Sequence, residues 1–257
     1  MALIDYTAKN RIGYITLNRP DKRNALNQEM VSELRNAFAT AADDPEAKVV
    51  VLKANGDAFC AGADLAYLQQ LQKFSYEENL EDSRNLKALY HQVYTLPKVV
   101  IAQVEGSAIA GGSGLVTVCD FAFAIPEAKF GYTEVRIGFI PAIVMAFLLR
   151  KIGEAKAREL LLTGKLIVAA EACALGMVTQ VVDRGNMEAA VTQFAANLVT
   201  GASGQSLAAT KKMMAEVQDM GLSAALDQAS MENAKARATD DCKRGIASFL
   251  EKKELKW

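Results

Sequence analysis

The sequence predicts an α/β fold in which helices cover a sheet, followed by a helical C-terminal segment. Up to about Glu154, short apolar runs and amphipathic stretches follow one another in the order strand, strand, helix. Beyond Glu154 strand patterns nearly vanish, and from Gly204 onward the residues have the periodicity of amphipathic helices. We therefore expect a sheet-containing part that precedes a purely helical one.

Five segments have the pattern of strands. The first alternates apolar and polar residues and ends before Pro20, whereas the next three are short apolar runs typical of strands buried on both faces. The predicted strands cover residues 12–18, 49–54, 97–104, 121–125 and 178–182. Helical periodicity predicts helices over residues 27–42, 76–95, 112–119 and 142–152.

Composition argues against several classes of function. The formal net charge of −1 gives no reason to expect nucleic acid or an anionic membrane as a partner. No apolar run approaches the roughly 20 residues that span a bilayer, and the N-terminus lacks the layout of a signal or transit peptide. The four cysteines form no CxxC pair, so we expect buried free thiols and a reducing, cytoplasmic compartment. His91 is the only histidine, which nearly excludes a Ser-His-Asp triad, and no metal-ligand spacing occurs.

Two segments rich in small residues carry the strongest functional signal. One is Ala58-Phe-Cys-Ala-Gly-Ala-Asp-Leu65, and the other is Gly106-Ser-Ala-Ile-Ala-Gly-Gly-Ser-Gly-Leu115. Taken alone, either segment is an ordinary glycine turn. Together, at their separation and with Glu134 downstream, they closely resemble the signature loops of the enoyl-CoA hydratase/isomerase (crotonase) superfamily.

The resemblance extends over nearly the whole chain and implies a fold and an assembly. Residues 18–27 look like the family's first loop that contacts coenzyme A, and residues 245–252 look like its C-terminal helix. A crotonase-like spiral of strand-strand-helix units is thus expected over residues 1–200, and a helical C-terminal trimerisation region over residues 201–257. The family's assembly is a homotrimer, often a dimer of trimers.

The resemblance also implies a chemistry, in which the enzyme stabilises the enolate of an acyl-CoA thioester. Negative charge develops on the thioester oxygen, and each preorganised N–H donor there is worth about 2.7–4 kcal/mol. By resemblance the donors are the amides of Ala63 and Gly111, and Gly111 opens a predicted helix whose dipole adds to the effect. Coenzyme A enters as part of the substrate, and no separate cofactor or metal is implied.

Nine positions match places where family members contact coenzyme A or the thioester. They are Arg23, Ala25, Ala61, Ala63, Asp64, Leu65, Gly111, Phe249 and Lys252. Phe249 and Lys252 match positions that reach the coenzyme A bound to a neighbouring subunit. Asp64 is also well placed to cap a helix, and the two roles are compatible.

Glu134 matches the family's second carboxylate, and by resemblance it is the candidate catalytic acid and base; taken alone it would be an ordinary solvated glutamate at a strand end. It follows a short apolar stretch, so its carboxylate would enter an apolar pocket, which favours a raised pKa and proton transfer. Arg136 lies two residues further along and points the same way if the segment is extended. It would then pair with Glu134 or bind a carboxylate of the substrate, unless it is an ordinary surface arginine.

Gly114 stands where the two-carboxylate hydratases of the family carry a glutamate. Three explanations are open: an isomerase that shifts a 3-enoyl double bond with Glu134 alone, a hydratase for an unusual acyl group, and a catalytically silent acyl-CoA-binding subunit. A decarboxylase is a fourth, since Tyr67 matches a tyrosine of some decarboxylating members, although the accompanying lysine and histidine are not matched.

The residues around Gly114 and Glu134 favour the hydratase. Residues 113–115 and 134–142 resemble the bacterial branch of methylglutaconyl-CoA and carboxygeranoyl-CoA hydratases. Substrates of that branch carry a distal carboxylate, which a glutamate at position 114 would crowd and repel. We therefore expect reversible hydration of 3-methylglutaconyl-CoA or a related branched, carboxylated acyl-CoA of branched-chain catabolism.

Overall fold

The computed structural model describes residues 2–257. In chain order its strands are Ile4–Lys9 (β1), Ile12–Leu17 (β2), Val49–Ala54 (β3), Ala58–Cys60 (β4), Val99–Val104 (β5), Ser107–Ile109 (β6), Phe121–Ala124 (β7), Lys129–Gly131 (β8), Ile167–Val168 (β9) and Gln180–Val181 (β10). Its α-helices are Gln28–Asp43 (α1), Leu65–Leu71 (α2), Tyr76–Thr95 (α3), Gly111–Val118 (α4), Ala142–Ile152 (α5), Glu154–Thr163 (α6), Ala169–Ala174 (α7), Met187–Gly201 (α8), Gly204–Glu216 (α9), Leu222–Ala238 (α10) and Asp240–Leu250 (α11).

The main sheet has six strands in the order β1-β2-β3-β5-β7-β10. The β1–β2 pair is antiparallel, and the remaining pairs are parallel. Val49 to Leu52 of β3 are completely buried, as is typical of a strand covered on both faces. Helices α1 and α8 both pack against this sheet.

A second sheet has four short strands in the order β4-β6-β8-β9. The segments that follow β4, β6 and β8 form the candidate site described below. The chain repeats one pattern three times: a strand of the main sheet, a strand of the second sheet, then a helix. The three repeats are β3-β4-α2, β5-β6-α4 and β7-β8-α5. This arrangement confirms the predicted spiral of strand-strand-helix units.

Several predicted elements have the expected bounds, and others differ for identifiable reasons. Helices α3 and α5 begin and end at the predicted residues. Helix α1 begins one residue late because Asn27 is its N-cap, and the Asn27 side chain accepts a hydrogen bond from the Met30 amide at 2.9 Å. The predicted strand 178–182 is reduced to Gln180–Val181, the part that pairs with β7.

The C-terminal region is helical, as the periodicity indicates. Within residues 2–257 no strand follows β10, and the division of the chain at residue 200 stays a prediction. No helix in the described part of the chain has the length and apolar character needed to cross a membrane. All four cysteines are free; Cys60 and Cys119 are buried, but Cys173 and Cys242 are only partly so.

Candidate active site

The candidate site lies where three neighbouring strands of the second sheet end. Strands β4, β6 and β8 are adjacent and parallel, so their carboxyl ends emerge at one edge. The loops that follow them contact each other closely. A Cβ atom on Gly62 would lie 3.0 Å from the Ile109 carbonyl oxygen, and one on Gly112 would lie 2.2 Å from the Cys60 carbonyl oxygen. Only glycine at position 112 permits this approach.

In the first loop, Ala63 has an amide that the protein leaves unused. The Ala61 amide donates to the Arg23 carbonyl at 3.0 Å, and the Asp64 amide donates to the Leu26 carbonyl at 2.8 Å. Ala63 itself is exposed, and its amide donates to no acceptor within residues 2–257. The loop is therefore held by its neighbours while one N–H remains available to a ligand.

The second loop has the same property at Gly111. The Ala110 amide donates to the Gly131 carbonyl at 2.7 Å, and the Gly114 amide donates to the Ala110 carbonyl at 3.0 Å. Gly111 is partly exposed, and its amide has no acceptor in the described part of the chain. Ala110 has φ +51° and ψ −119°, a conformation that costs a non-glycine residue about 1–3 kcal/mol. The fold thus holds strained backbone beside an unused amide.

Glu134 opens a 3-10 turn, Glu134–Ile137, that follows β8. Its Oε2 atom is buried and has no hydrogen-bond partner in the described structure. Burial raises the pKa of this carboxyl group above its ordinary value. Burial raises the pKa of the phenols of Tyr90 and Tyr132, and the charge of Glu134 adds to that effect. Such a group is suited to taking up and returning a proton.

Arg136 would point the same way as Glu134 only in an extended segment, and that condition is not met. The segment is a 3-10 turn rather than an extended strand, and with three residues per turn two positions apart face different directions. Arg136 is exposed and forms no ion pair with a carboxylate of residues 2–257. It therefore does not pair with Glu134, and its guanidinium is free to meet a substrate.

Gly114 lies against side chains of two other helices. A Cβ atom at this position would lie 2.4 Å from Cγ1 of Val144 and 3.1 Å from the Tyr90 hydroxyl oxygen. Protein atoms therefore fill the space beside Gly114 and would by themselves oppose a glutamate there. The glycine allows α4 to approach α5 and α3.

Asp64 holds the first loop in place through a helix cap and an ion pair. Its Oδ1 accepts hydrogen bonds from the amides of Ala66 and Tyr67 at 2.8 and 3.2 Å and so caps α2. Its Oδ2 pairs with Arg19 at 2.7 Å. Burial alone would raise the pKa of Asp64, but the hydrogen bonds from Tyr67, Arg19 and Ala66 outweigh it and hold the pKa below its ordinary value.

The remaining predicted contact positions differ in exposure. Arg23, Leu65, Phe249 and Lys252 are exposed, Ala61 is partly exposed and Ala25 is buried. Phe249 lies in the last turn of α11, and Lys252 follows that helix.

Tyr67 has a hydroxyl group that is already engaged. It donates to Asp82, and burial together with this bond raises the tyrosine pKa. This engagement makes Tyr67 a poor candidate for direct contact with a reacting group.

Three residues of the site were not found from the sequence. Arg19 donates to the Ala25 carbonyl at 3.1 Å besides pairing with Asp64. The buried Asn24 side chain donates to the Ala58 carbonyl at 2.8 Å and thereby joins the 18–27 loop to β4. Both lie in the motif noted above, so polar residues within it were the available signal. The third residue is Tyr90, and no feature of the sequence pointed to it.

Comparison with known proteins gives one consistent family. The sequence profile of the enoyl-CoA hydratase/isomerase family matches residues 7–257. A protein of Thermus thermophilus provisionally named as an enoyl-CoA hydratase is 41% identical over 245 residues, which cover 95% of this chain and 96% of that protein. The crotonyl-CoA hydratase of Syntrophomonas wolfei is 33% identical over 96% of this chain and 94% of its own length. The 2,3-dehydroadipyl-CoA hydratase of Escherichia coli is 31% identical over 98% and 97%.

Solved structures agree with these matches. An enoyl-CoA hydratase from Shewanella pealeana superposes with a TM-score of 0.94 at 30% identity, covering 99% of this chain and 96% of that one. Pseudomonas aeruginosa AtuE superposes with a TM-score of 0.93 at 31% identity, covering 98% of each chain.

Proposed function

The chain belongs to the enoyl-CoA hydratase/isomerase family, and on that basis we propose that it reversibly adds water to an α,β-unsaturated acyl-CoA. The observation that carries the proposal is the buried Oε2 of Glu134, which has no hydrogen-bond partner among residues 2–257. It lies at the strand edge where two loops leave the amides of Ala63 and Gly111 without an acceptor in the same residues. Related proteins named as hydratases of crotonyl-CoA and 2,3-dehydroadipyl-CoA support the same reaction type.

In the proposed mechanism the amides of Ala63 and Gly111 hold the thioester oxygen. Attack of water at the β-carbon moves the electrons of the double bond toward that oxygen and forms an enolate. Donors fixed before the reaction stabilise the new charge without reorganising, and the N-terminus of α4 adds its dipole. Small residues in both loops let the thioester approach the backbone.

Glu134 is proposed to handle both protons. As the water oxygen bonds to the β-carbon, the Glu134 carboxylate takes the proton released from the water. The resulting carboxylic acid then gives a proton to the α-carbon, which converts the enolate back to a thioester and restores the carboxylate. A pKa raised by burial suits a group that must act in both directions.

We further propose that the acyl group carries a distal carboxylate, as in 3-methylglutaconyl-CoA. Support comes from Arg136, an exposed cation without an ion pair in the described chain, on the turn that begins with Glu134. Arginine binds carboxylates through two parallel hydrogen bonds. The Escherichia coli relative is named for the coenzyme A ester of a dicarboxylic acid, which agrees with this class. No cofactor beyond the coenzyme A of the substrate is proposed.

An isomerase is the second candidate, because Gly114 leaves Glu134 as the one glutamate matched to the family's catalytic pair. Shifting a double bond from the 3- to the 2-position needs only one carboxylate, which takes a proton from C2 and returns it to C4. A silent acyl-CoA-binding subunit is the rival outside catalysis. A decarboxylase has less support, since Asp82 engages the Tyr67 hydroxyl.

The test is to incubate the purified protein with 3-methylglutaconyl-CoA, crotonyl-CoA and a 3-enoyl-CoA in parallel. Liquid chromatography with mass spectrometry separates hydrated products from isomers of unchanged mass. The Glu134→Gln variant serves as the control, because it keeps the size of the side chain and removes its proton chemistry.

We expect hydration of 3-methylglutaconyl-CoA well above that of crotonyl-CoA, and its loss in Glu134→Gln by a factor of about 10²–10⁴. A shifted double bond in the 3-enoyl-CoA, without hydration of the other two, would establish the isomerase. Binding of all three without any product, unchanged by Glu134→Gln, would establish the silent subunit.

A further inference from the structure

The first turn of α4 is too rich in glycine to hold its own amides in place. It reads Gly111-Gly-Ser-Gly114. Each glycine destabilises a helix by about 1 kcal/mol relative to alanine because its backbone has more freedom to lose. A donor for an oxyanion contributes fully only when it is fixed before the reaction. Contacts from other elements must therefore hold this turn.

Two hydroxyl groups supply such contacts. The Ser113 hydroxyl donates to the Ala108 carbonyl at 2.6 Å and accepts from the Gly131 amide at 3.0 Å, which joins the turn to β6 and β8. The Tyr90 hydroxyl reaches from α3 and donates to the Gly111 carbonyl at 2.9 Å. Tyr90 thus bonds to the residue whose amide is the proposed donor.

Tyr90 also fills the space that a side chain at position 114 would take. The phenol is completely buried. Its oxygen lies 3.0 Å from the place of a Cβ atom on Gly111 and 3.1 Å from that of a Cβ atom on Gly114. One hydroxyl therefore lies beside both glycines at the start of α4. Burial, with smaller contributions from Cys60 and Glu134, raises the pKa of Tyr90, so the group remains a protonated donor.

We propose that Tyr90 is a positioning residue whose hydroxyl holds the first turn of α4 so that the Gly111 amide faces the thioester oxygen. This inference rests on the proposed function of that amide. Tyr90 does not touch the reacting atoms; it acts through the Gly111 backbone. Tyr90 and Gly114 are neighbours, because a Cβ atom at 114 would lie 3.1 Å from the hydroxyl oxygen that bonds to Gly111.

The test compares Tyr90→Phe with Tyr94→Phe, one turn further along α3. The first variant keeps the ring, which packs edge-on against Phe147 at 6.5 Å, and removes only the donor. The control also loses a single hydroxyl, the one that accepts a hydrogen bond from Gln218 at 2.9 Å. Butyryl-CoA labelled with ¹³C at the thioester carbon is saturated and is not hydrated, so its NMR shift reports how strongly the bound carbonyl is polarised.

We expect wild type and Tyr94→Phe to shift the labelled carbon downfield to the same extent. Tyr90→Phe should bind butyryl-CoA with a similar affinity but lose most of that shift. Its kcat for the preferred enoyl-CoA should fall about tenfold, as loss of one hydrogen bond of roughly 1.4 kcal/mol predicts, while KM stays within about twofold.

Two results would overturn the assignment of Tyr90 and leave the proposed function intact. One is an unchanged shift and kcat in Tyr90→Phe. The other is an equal loss in both variants, which would indicate a general effect of removing a hydroxyl from α3. If wild type itself binds butyryl-CoA without any shift, the oxyanion site fails, and with it the proposed function.

Discussion

At the residue scale, Glu134 combines a functional advantage with a cost in stability. Its Oε2 is buried without a hydrogen-bond partner in the described chain, and an unpaired buried polar atom costs about 1–3 kcal/mol. The same burial raises its pKa, which suits proton transfer. If the buried carboxylate had no function, it would only lower the stability of the protein.

The raised pKa of Glu134 predicts a pH-dependent gain in stability for Glu134→Gln. Because the folded-state pKa lies above the unfolded value, the folded state binds the proton more tightly, and wild type loses stability as the pH rises through the interval between the two. Glutamine does not ionise, so the variant should have the higher Tm above that interval, and the difference should shrink below it. Calorimetric scans from about pH 4 to about pH 8 check this, since an unperturbed glutamate titrates near 4.3.

The matched control for this experiment is Glu127→Gln, at an exposed glutamate before β8. Its Tm should stay close to that of wild type, because substitutions at exposed surface positions change stability by less than about 0.5 kcal/mol. A constant difference between wild type and Glu134→Gln over the whole range would contradict the burial of the Glu134 carboxylate.

At the scale of elements, the active-site helix α4 is fitted closely between its neighbours. It packs against α5 and α3, and Gly114 lies within that contact. The nearest atom to an added Cβ belongs to Val144, a β-branched side chain with little freedom to move away. The contact therefore leaves no room for a larger residue at position 114.

Gly114→Ala should destabilise the protein by about 1–3 kcal/mol, the usual cost of overpacking a core. Val144→Ala removes the atom that the new methyl group would meet, so the double variant should be more stable than the sum of the single changes predicts. Urea unfolding of the four proteins measures this coupling. Gly201→Ala is the control, because nothing lies within 4 Å of an added Cβ there. Additive effects at 114 and 144 would refute the contact.

A buried lysine anchors the helical C-terminal region to the rest of the fold. Lys211 of α9 donates to the carbonyls of Val93 and Lys98 at 3.1 Å each, and it pairs with Asp120 at 2.7 Å. One ammonium group thereby joins α9 to the end of α3 and to the connection before β7.

Lys211→Met should cost about 3 kcal/mol, because removing one partner leaves the other charge and two carbonyls without compensation. Lys212→Met is the matched control: that neighbouring side chain is 70% exposed and lies 3.7 Å from Glu216, so its loss should change stability by less than about 0.5 kcal/mol. Chemical unfolding followed by circular dichroism measures both. Equal effects would show that the buried network adds no stability.

At the scale of the whole molecule, the last two helices are incompletely covered. Neither α10 nor α11 has a buried residue in the single chain. Their exposed large apolar side chains are Leu222, Leu226, Met231, Ile246, Phe249 and Leu250. Exposed apolar groups on this scale mark interaction surfaces, which is consistent with the assembly of identical chains that the family resemblance implies.

We predict that the protein sediments and scatters light with at least three times the 27.7 kDa mass of one chain. Leu222→Glu combined with Leu226→Glu, which places charges among these apolar groups, should shift the mass toward that of the monomer. Size-exclusion chromatography with light scattering measures both proteins. A wild-type monomer at tens of micromolar would contradict the prediction.

The parts of the site that could be predicted are those encoded by local residue type and spacing. Ala63, Gly111 and Glu134 were all identified by their resemblance to the family's motifs, because either loop or the glutamate taken alone would be an ordinary turn or a solvated residue. The direction of Arg136 could not be predicted, because two residues in an extended segment and two in a 3-10 turn have different relative directions. The sequence pattern around Glu134 did not distinguish those conformations.

The sequence by itself determined the family, the spiral order of strands and helices, and the residues at which chemistry is proposed. Hydrophobic periodicity, small-residue loops and helix caps all act over a few neighbouring positions and can be read along the chain. Only the tertiary structure decided that Tyr90 and Val144 lie beside Gly114 and that Oε2 of Glu134 is buried without a hydrogen-bond partner among residues 2–257. These facts depend on how helices distant in sequence pack together, and a side chain's burial and partners are properties of that packing.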